Sequence, residues 1–200
     1  MLIIDSHRKS FSTLQKLYPG AIIADVTSHA NDGLIKLSPF YPHGNIPVPF
    51  AHGLTSMCVE GIWQGLKVFE TCGVDKQMFL NDSMSNIKRT VRKFGKPLGH
   101  MKIDTGEIIG YIEARHQIYV PAYRWVLENK VSDIIERLRE ANKTKTIVLL
   151  DYTTNCDIDD PQKPLSHAFL VKAYAEHLYP FTKDEESDNQ QKPIQLQLFD

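Results

Sequence analysis

The run TKTIVLLDYT, Thr144 to Thr153, constrains the chain most, because Ile147 to Leu150 are apolar without interruption and polar residues flank them. A strand exposed on one face alternates, whereas one covered on both faces reads as a continuous apolar stretch. The segment therefore predicts a buried strand. MLIID at the N-terminus and AIIADVTS, Ala21 to Ser28, are short and β-branched and are bounded by polar residues or by Pro19-Gly20, so they read as two further strands. Two hundred residues suffice for one domain with a substantial core.

Helical expectations fill the intervals. Ser10 to Leu17 reads as a brief helix. LSPFYPHGNIPVPF, Leu37 to Phe50, holds four prolines and a glycine, which excludes regular helix and predicts a structured loop whose Phe40 and Tyr41 must pack or bind something. Thr55 or Ser56 is placed to cap a helix reaching about to Phe69, and Ser85 to Phe94 predicts another, ended by Gly95, Pro97 and Gly99. Ile108 to Tyr119 and Ala122 to Glu128 are helical in pattern, with Pro121 beginning the second. Ser132 caps DIIERLREAN, and Ser166 opens a final helix. From Lys183 onward KDEESDNQQKP is polar and charged, the composition of a flexible tail. This order predicts an α+β fold: one mainly helical domain over 1–182 with a small β-sheet, and a tail over 183–200.

Charge and cysteine content narrow the function classes. With 23 Lys and Arg against 24 Asp and Glu, nothing global draws the chain to nucleic acid or membrane. Cys58, Cys72 and Cys156 are odd in number and lack metal-ligand spacing, which fits a reducing compartment. MLIIDSHRKS is too short in apolar residues for a signal peptide or membrane span. A cytoplasmic location without membrane association is expected.

VEGIWQGLK, Val59 to Lys67, carries the chemistry. At about 100° per residue, Val59, Ile62, Leu66 and Phe69 share one side, while Glu60, Gln64 and Lys67 share the other, with Trp63 flanking the stripe. Solvated polar faces are the ordinary meaning of such a pattern. A large aromatic at the stripe's edge is either half-buried in the core or placed to stack on a ring.

LSPFYP followed after a short interval by CVEGIWQGLKVF resembles the signature of the NADAR superfamily, in which an "LSNFYP" loop precedes a "VEHYYQAxK" helix. SNIKRTVRKFGKPLG resembles that family's basic segment, and LLDYTTNCDIDDPQKPLSHAFLVKAYAEHL its closing strand, polar loop and terminal helix. The resemblance spans about Leu37 to Leu178. It departs at Pro39, at Gly61 and Ile62, and in the acidic DIDDPQKP where the family has a glycine-rich loop. The resemblance implies a divergent N-glycosidase acting on ribosylamino pyrimidines or removing ADP-ribose from guanine in nucleic acid. Carried over position by position, it assigns Phe40, Tyr41, Glu60, Gln64 and Lys67, with Asp151, Asn155 and Asp157 as weaker matches.

Breaking an N-glycosidic bond needs charge stabilisation at the anomeric carbon and a proton for the leaving nitrogen, for which carboxylates serve. Glu60 fits that role, and Asp157 is a candidate for holding a ribose hydroxyl or the attacking water. Lys67, if partly neutral, could attack the anomeric carbon as a Schiff-base nucleophile; the alternative is a cation that pairs with Glu60 or a phosphate. Asp157, Asp159 and Asp160 more simply solvate their loop than bind a metal, and no cofactor is expected. Between Ser85 and Lys102 stand six basic residues and no acidic one, either a solvated face or a phosphate site. Helical spacing would let Lys88, Arg92 and Lys96 face one polyanion. His116 and His167 read as structural rather than as ligands, and for His167, at a helix start, help to an anionic group is the alternative.

The terminal PIQLQLFD returns apolar residues to a polar tail, as docking peptides do. Gln195, Leu196, Leu198 and Phe199 resemble the pentapeptide with which many bacterial DNA polymerases and repair proteins bind the replicative sliding clamp; a tail folded back on the domain is the alternative. Three readings stand: a clamp-recruited glycosidase on DNA, a glycosidase on a free ribosylamino nucleotide, and a catalytically silent module that binds ADP-ribose or the clamp.

Overall fold

The computed structural model describes residues 1–179. The expected domain end at 182, the tail and the peptide Gln195 to Phe199 lie outside the described residues. The fold is α+β. The N-terminal half contains β1 (Leu2–Ser6), α1 (Phe11–Leu17), β2 (Ile22–Asp25), β3 (Ile46–Pro47), β4 (Thr55–Ser56), α2 (Val59–Leu66), β5 (Lys67–Phe69) and α3 (Val91–Phe94). The rest contains β6 (Pro97–Lys102), β7 (Glu107–Ile109), α4 (Tyr111–Ala114), α5 (Val120–Asn129), α6 (Ser132–Thr144), β8 (Ile147–Asp151) and α7 (His167–Ala175).

The apolar run becomes β8, the middle strand of a parallel sheet ordered β1-β8-β2. All five of its residues are buried. Alternation sends Val148 and Leu150 against Leu14 of α1, and Ile147 and Leu149 into the main core with residues of α5, α6 and α7. Burying each such side chain is worth about 1.5–3 kcal/mol, so Leu149→Ala should cost about 2–5 kcal/mol. Asp151 follows on the same face as Leu149, at the strand's carboxyl end.

Several expected boundaries shift, each for an identifiable reason. Helix α2 is capped by Cys58, whose Sγ accepts from Gly61 N; Thr55 and Ser56 pair instead with β3. The helix stops at Leu66, because Lys67 enters β5 opposite His100 and its carbonyl accepts from the Arg89 guanidinium. The helix expected over Ser85 to Phe94 shrinks to the single turn α3. Arg89 is the cause: its backbone N–H donates to Gln64 Oε1, and its guanidinium donates to the carbonyls of Gln64, Lys67 and Gly73. A side chain satisfied by another segment's backbone fixes its own backbone outside a helix.

Sheet β5-β6-β7 is antiparallel and replaces the expected helical start at Ile108. Gly99 (φ 151) is required there, since a Cβ would lie 2.3 Å from the Ile109 carbonyl oxygen. The two helices expected on either side of Pro121 form one unbroken helical stretch from Tyr111 to Asn129, with a π turn at Arg115–Tyr119 joining α4 to α5. Proline supplies no N–H to the preceding turn, and wider i→i+5 bonding absorbs that defect. Ser132 is the first residue of α6 and Val131 its cap. Ser166 caps α7 as expected, accepting from Phe169 N, and Ser10, expected as the start of the brief helix, is the cap of α1 and accepts from Thr13 N.

Candidate functional site

A cleft of about 1190 Å³ opens between α2, the 111–119 helical segment, the carboxyl ends of the parallel strands and the 152–165 loop. Among the predicted residues it gathers Phe40, Glu60, Trp63, Gln64, Lys67, Asp151, Asn155 and Asp157. Tyr41, Arg92 and Lys96 are not among the lining residues: Tyr41 turns to the His43 ring at 4.8 Å, and Arg92 and Lys96 lie exposed around α3. With the segment before α3 non-helical, the helical spacing that would align Lys88 with Arg92 and Lys96 is lost. Lys88 alone of the three reaches the cleft, with its ammonium 5.7 Å from the Phe40 ring centre.

Glu60 sits in the first turn of α2, and its N–H donates to the Pro39 carbonyl at 2.9 Å, joining the LSPFYP loop to the helix. The residue is 8% exposed. Gln64, one turn on, donates to Glu60 Oε1 at 2.8 Å while its own oxygen accepts from Arg89 N at 3.0 Å. That second bond fixes which end of the amide points at the carboxylate. Burial raises the Glu60 pKa, and the Gln64 bond and the charges of Lys67 and Lys88 only partly oppose it.

Lys67 leaves the helix and heads β5, so its eclipsed placement above Glu60 on a helical face does not hold. Its ammonium lies 5.8 Å from the Trp63 ring centre and 6.0 Å from that of Phe69. Burial lowers its pKa; Glu60 counteracts this and Arg89 adds to it. Glu60 and Lys67 therefore share a field without forming an ion pair. Trp63, on the same wall, stacks on His100 at 3.8 Å and meets Tyr111 and Tyr119 edge-on. His100 is fully enclosed, and burial drives its pKa down to about 3, helped by Lys67. Neither ring nitrogen has a partner in hydrogen-bond geometry among the described residues; the nearby Trp63 backbone only slightly favours the charged form.

The opposite wall is saturated. Asp151 accepts from Ser166 Oγ at 2.7 Å, from Ala168 N at 3.3 Å and from Tyr152 N at 2.6 Å, and pairs with His167 Nδ1 at 3.0 Å. Despite burial, the His167 charge and these bonds hold its carboxyl at about 2. His167 is correspondingly raised by Asp151, against its own desolvation. The imidazole's Nε2 is taken by the Val26 carbonyl, so both ring nitrogens are committed. Asn155 and Asp157 fold their loop: Asn155 Oδ1 accepts from Asp157 N and its amide donates to the carbonyls of Asp157 and Lys163, while Asp157 Oδ1 accepts from Asp159 N. Among the described residues no cluster of three or more His, Cys, Asp or Glu could hold a metal.

Sequence reasoning missed Arg115 and Tyr119. Arg115 is 2% exposed, lies 4.5 Å from the Tyr111 ring centre and donates to the carbonyls of Ile158, Asp160 and Lys163, moulding the acidic loop around itself. An arginine amid the apolar residues of GYIEARHQIYV was the available signal. Tyr119 lines the cleft beside Trp63, with its pKa driven far up by burial and by Glu60.

These features define an α+β protein whose cleft sets an under-bonded acid and a desolvated amine against a saturated polar wall. The chain belongs to a family of unknown function, DUF6939, which it matches over residues 6–171. No curated protein and no solved structure matches it. Among the described residues no helix is long and apolar enough to cross a membrane.

Proposed function

We propose that the cleft is the site of an N-glycosidase that removes ADP-ribose or a related ribosyl adduct from a base, guanine in the leading case, in DNA. The observation that carries this reading is Glu60: a carboxyl buried on the cleft wall with a raised pKa and a single side-chain donor. A general acid needs such a setting. Protonated Glu60 gives its proton to the leaving nitrogen as the C1–N bond breaks, and the carboxylate left behind faces the positive charge on the sugar. Water then adds at C1 and returns a proton to Glu60. Lys67, its ammonium disfavoured by burial, offers a second route through attack on C1. The NADAR-like motifs that bring LSPFYP and Glu60 together lend further support.

Release of ADP-ribose from a guanine-ADP-ribosylated oligonucleotide tests the reading. Wild type should release it, while Glu60→Gln and Lys67→Ala should not. Borohydride trapping of a protein–sugar adduct in wild type but not in Lys67→Ala assigns Lys67 as nucleophile. Release only from free ribosylamino nucleotides would move the substrate to that class, and no release from either overturns the enzyme. Recruitment by a sliding clamp through Gln195, Leu196, Leu198 and Phe199 belongs to the same proposal. Removing Gln195 to Asp200 should abolish clamp binding and leave release from free oligonucleotide intact.

A further inference from the structure

The cleft has a second end that neither the LSPFYP loop nor α2 builds. Strands β1, β8 and β2 run parallel, so their carboxyl ends open on one edge of the sheet, where α/β sheets commonly receive ligands. The chain leaving each strand lines the cleft: Arg8 after β1, Thr27 and Ser28 after β2, Tyr152 and Thr153 after β8. Backbone bonds hold these exits together, His7 N to the Asp151 carbonyl at 2.9 Å and Val26 N to the Leu150 carbonyl at 3.4 Å.

Two cations and one ring stand unused there. Arg8 and Lys163 are exposed and line the cleft, and among the described residues neither side chain has a hydrogen bond or ion pair. The acidic groups near them are engaged: Asp25 lies 3.4 Å from His7, Asp151 is paired with His167, and Asp157 caps its loop. Tyr152 is 45% exposed, and its ring is held edge-on by His7 at 4.9 Å and His29 at 6.0 Å. A ring fixed in orientation with half its surface open is a stacking platform for a base.

We propose that the carboxyl edge of the parallel sheet is a nucleoside-diphosphate subsite, in which Arg8 and Lys163 bind the phosphates and Tyr152 stacks on the purine. The inference rests on the reading of the cleft as a nucleotide-adduct site and assigns the distal half of its substrate. An arginine and a lysine supplied to one cleft by two separate segments, the β1 exit and the 152–165 loop, offer more cationic donors than a single phosphate uses and suit a diphosphate.

Calorimetric titration of ADP, ADP-ribose and ribose 5-phosphate into the full chain tests it. Wild type should bind ADP and ADP-ribose. The double variant Arg8→Gln, Lys163→Gln should lose about tenfold or more in affinity for both, the loss of charged hydrogen bonds, and a smaller factor for ribose 5-phosphate, which carries only one of the two phosphates. Tyr152→Ala should weaken ADP, and Tyr152→Phe should not. All substituted side chains are substantially exposed, so unchanged thermal unfolding should accompany the loss. No ADP binding by wild type, or equal ADP affinity in the double variant, overturns the subsite. The two proposals fail separately: wild type that binds ADP through Arg8 and Lys163 but releases no base removes the glycosidase alone, and base release with unaltered ADP binding in the double variant removes the subsite alone.

Discussion

Glu60 and Asp151 are both buried carboxylates on the same cleft, and they titrate in opposite directions. Glu60 receives one side-chain donor and is raised; Asp151 receives three donors and an imidazolium and is lowered to about 2. Burial alone pushes both up, so the difference lies in how fully each is bonded. Their neighbours follow suit. Among the described residues, neither nitrogen of His100 beside Trp63 has a partner in hydrogen-bond geometry, whereas both nitrogens of His167 are bonded. One wall is under-bonded, with Glu60 open to the cleft and His100 enclosed behind Trp63, and the other wall holds the frame.

The contrast is broken most sharply by two single-atom substitutions. Glu60→Gln should lower base release by about 10²–10⁴-fold and raise stability at pH 7 by about 1 kcal/mol, because a carboxyl whose folded pKa is raised costs folding free energy above its ordinary pKa and the neutral amide does not. Asp151→Asn should do the reverse in stability, costing about 3–5 kcal/mol by urea unfolding, since His167 remains buried without its counter-charge. If both variants shift stability in the same direction, the two walls do not differ as described.

Titration sharpens the same comparison. Asp151 falls from an ordinary 3.8 to about 2, so its contribution is complete above pH 3.8 and disappears as pH falls through 2. His167 is raised above its ordinary 6.5, so its contribution is complete below 6.5 and is lost as pH rises through the higher folded value. Stability from the pair should thus plateau between about pH 4 and 6.5, and Asp151→Asn should flatten that profile. Glu60 is raised above its ordinary 4.5, so burial of its charge costs stability as pH climbs past that value. Base release by a protonated Glu60 should persist past that value and decline only as pH rises through its higher folded pKa. The smallest effect is expected at His100: His100→Phe keeps the stack on Trp63, removes two unsatisfied nitrogens and should raise stability by about 1 kcal/mol in thermal unfolding.

The sequence made part of this contrast readable. The stripe of Glu60 and Gln64 follows from helical periodicity, and the buried β8 follows from an uninterrupted apolar run. Lys67 reaches the cleft by another route, because a three-residue strand pairing with distant His100 leaves no local pattern. The basic segment looked helical since charge spacing carries no record that Arg89 would turn inward to serve three carbonyls. Asp151 was assigned to substrate on motif order; its four partners come from Ser166, His167, Ala168 and Tyr152, and only the fold brings the α7 start back to β8. The strand-end subsite was invisible for the same reason, as Arg8 and Lys163 are separated by nearly the whole described chain.

The two glycines of VEGIWQGLK set a limit on how this sequence can drift. A Cβ at Gly61 would lie 2.6 Å from the Met78 carbonyl oxygen, and one at Gly65 would lie 2.3 Å from the Phe79 ring. The back of α2 is therefore a flat bed for the 76–80 turn, and the depth of that bed sets how far Glu60 stands into the cleft. Enlarging Gly65 forces either a smaller residue at 79 or an outward slide of the helix that carries the carboxylate with it. Positions 65 and 79 are consequently bound to change together, and a relative with a bulkier residue at 65 and Phe79 retained would hold its acid at a different height.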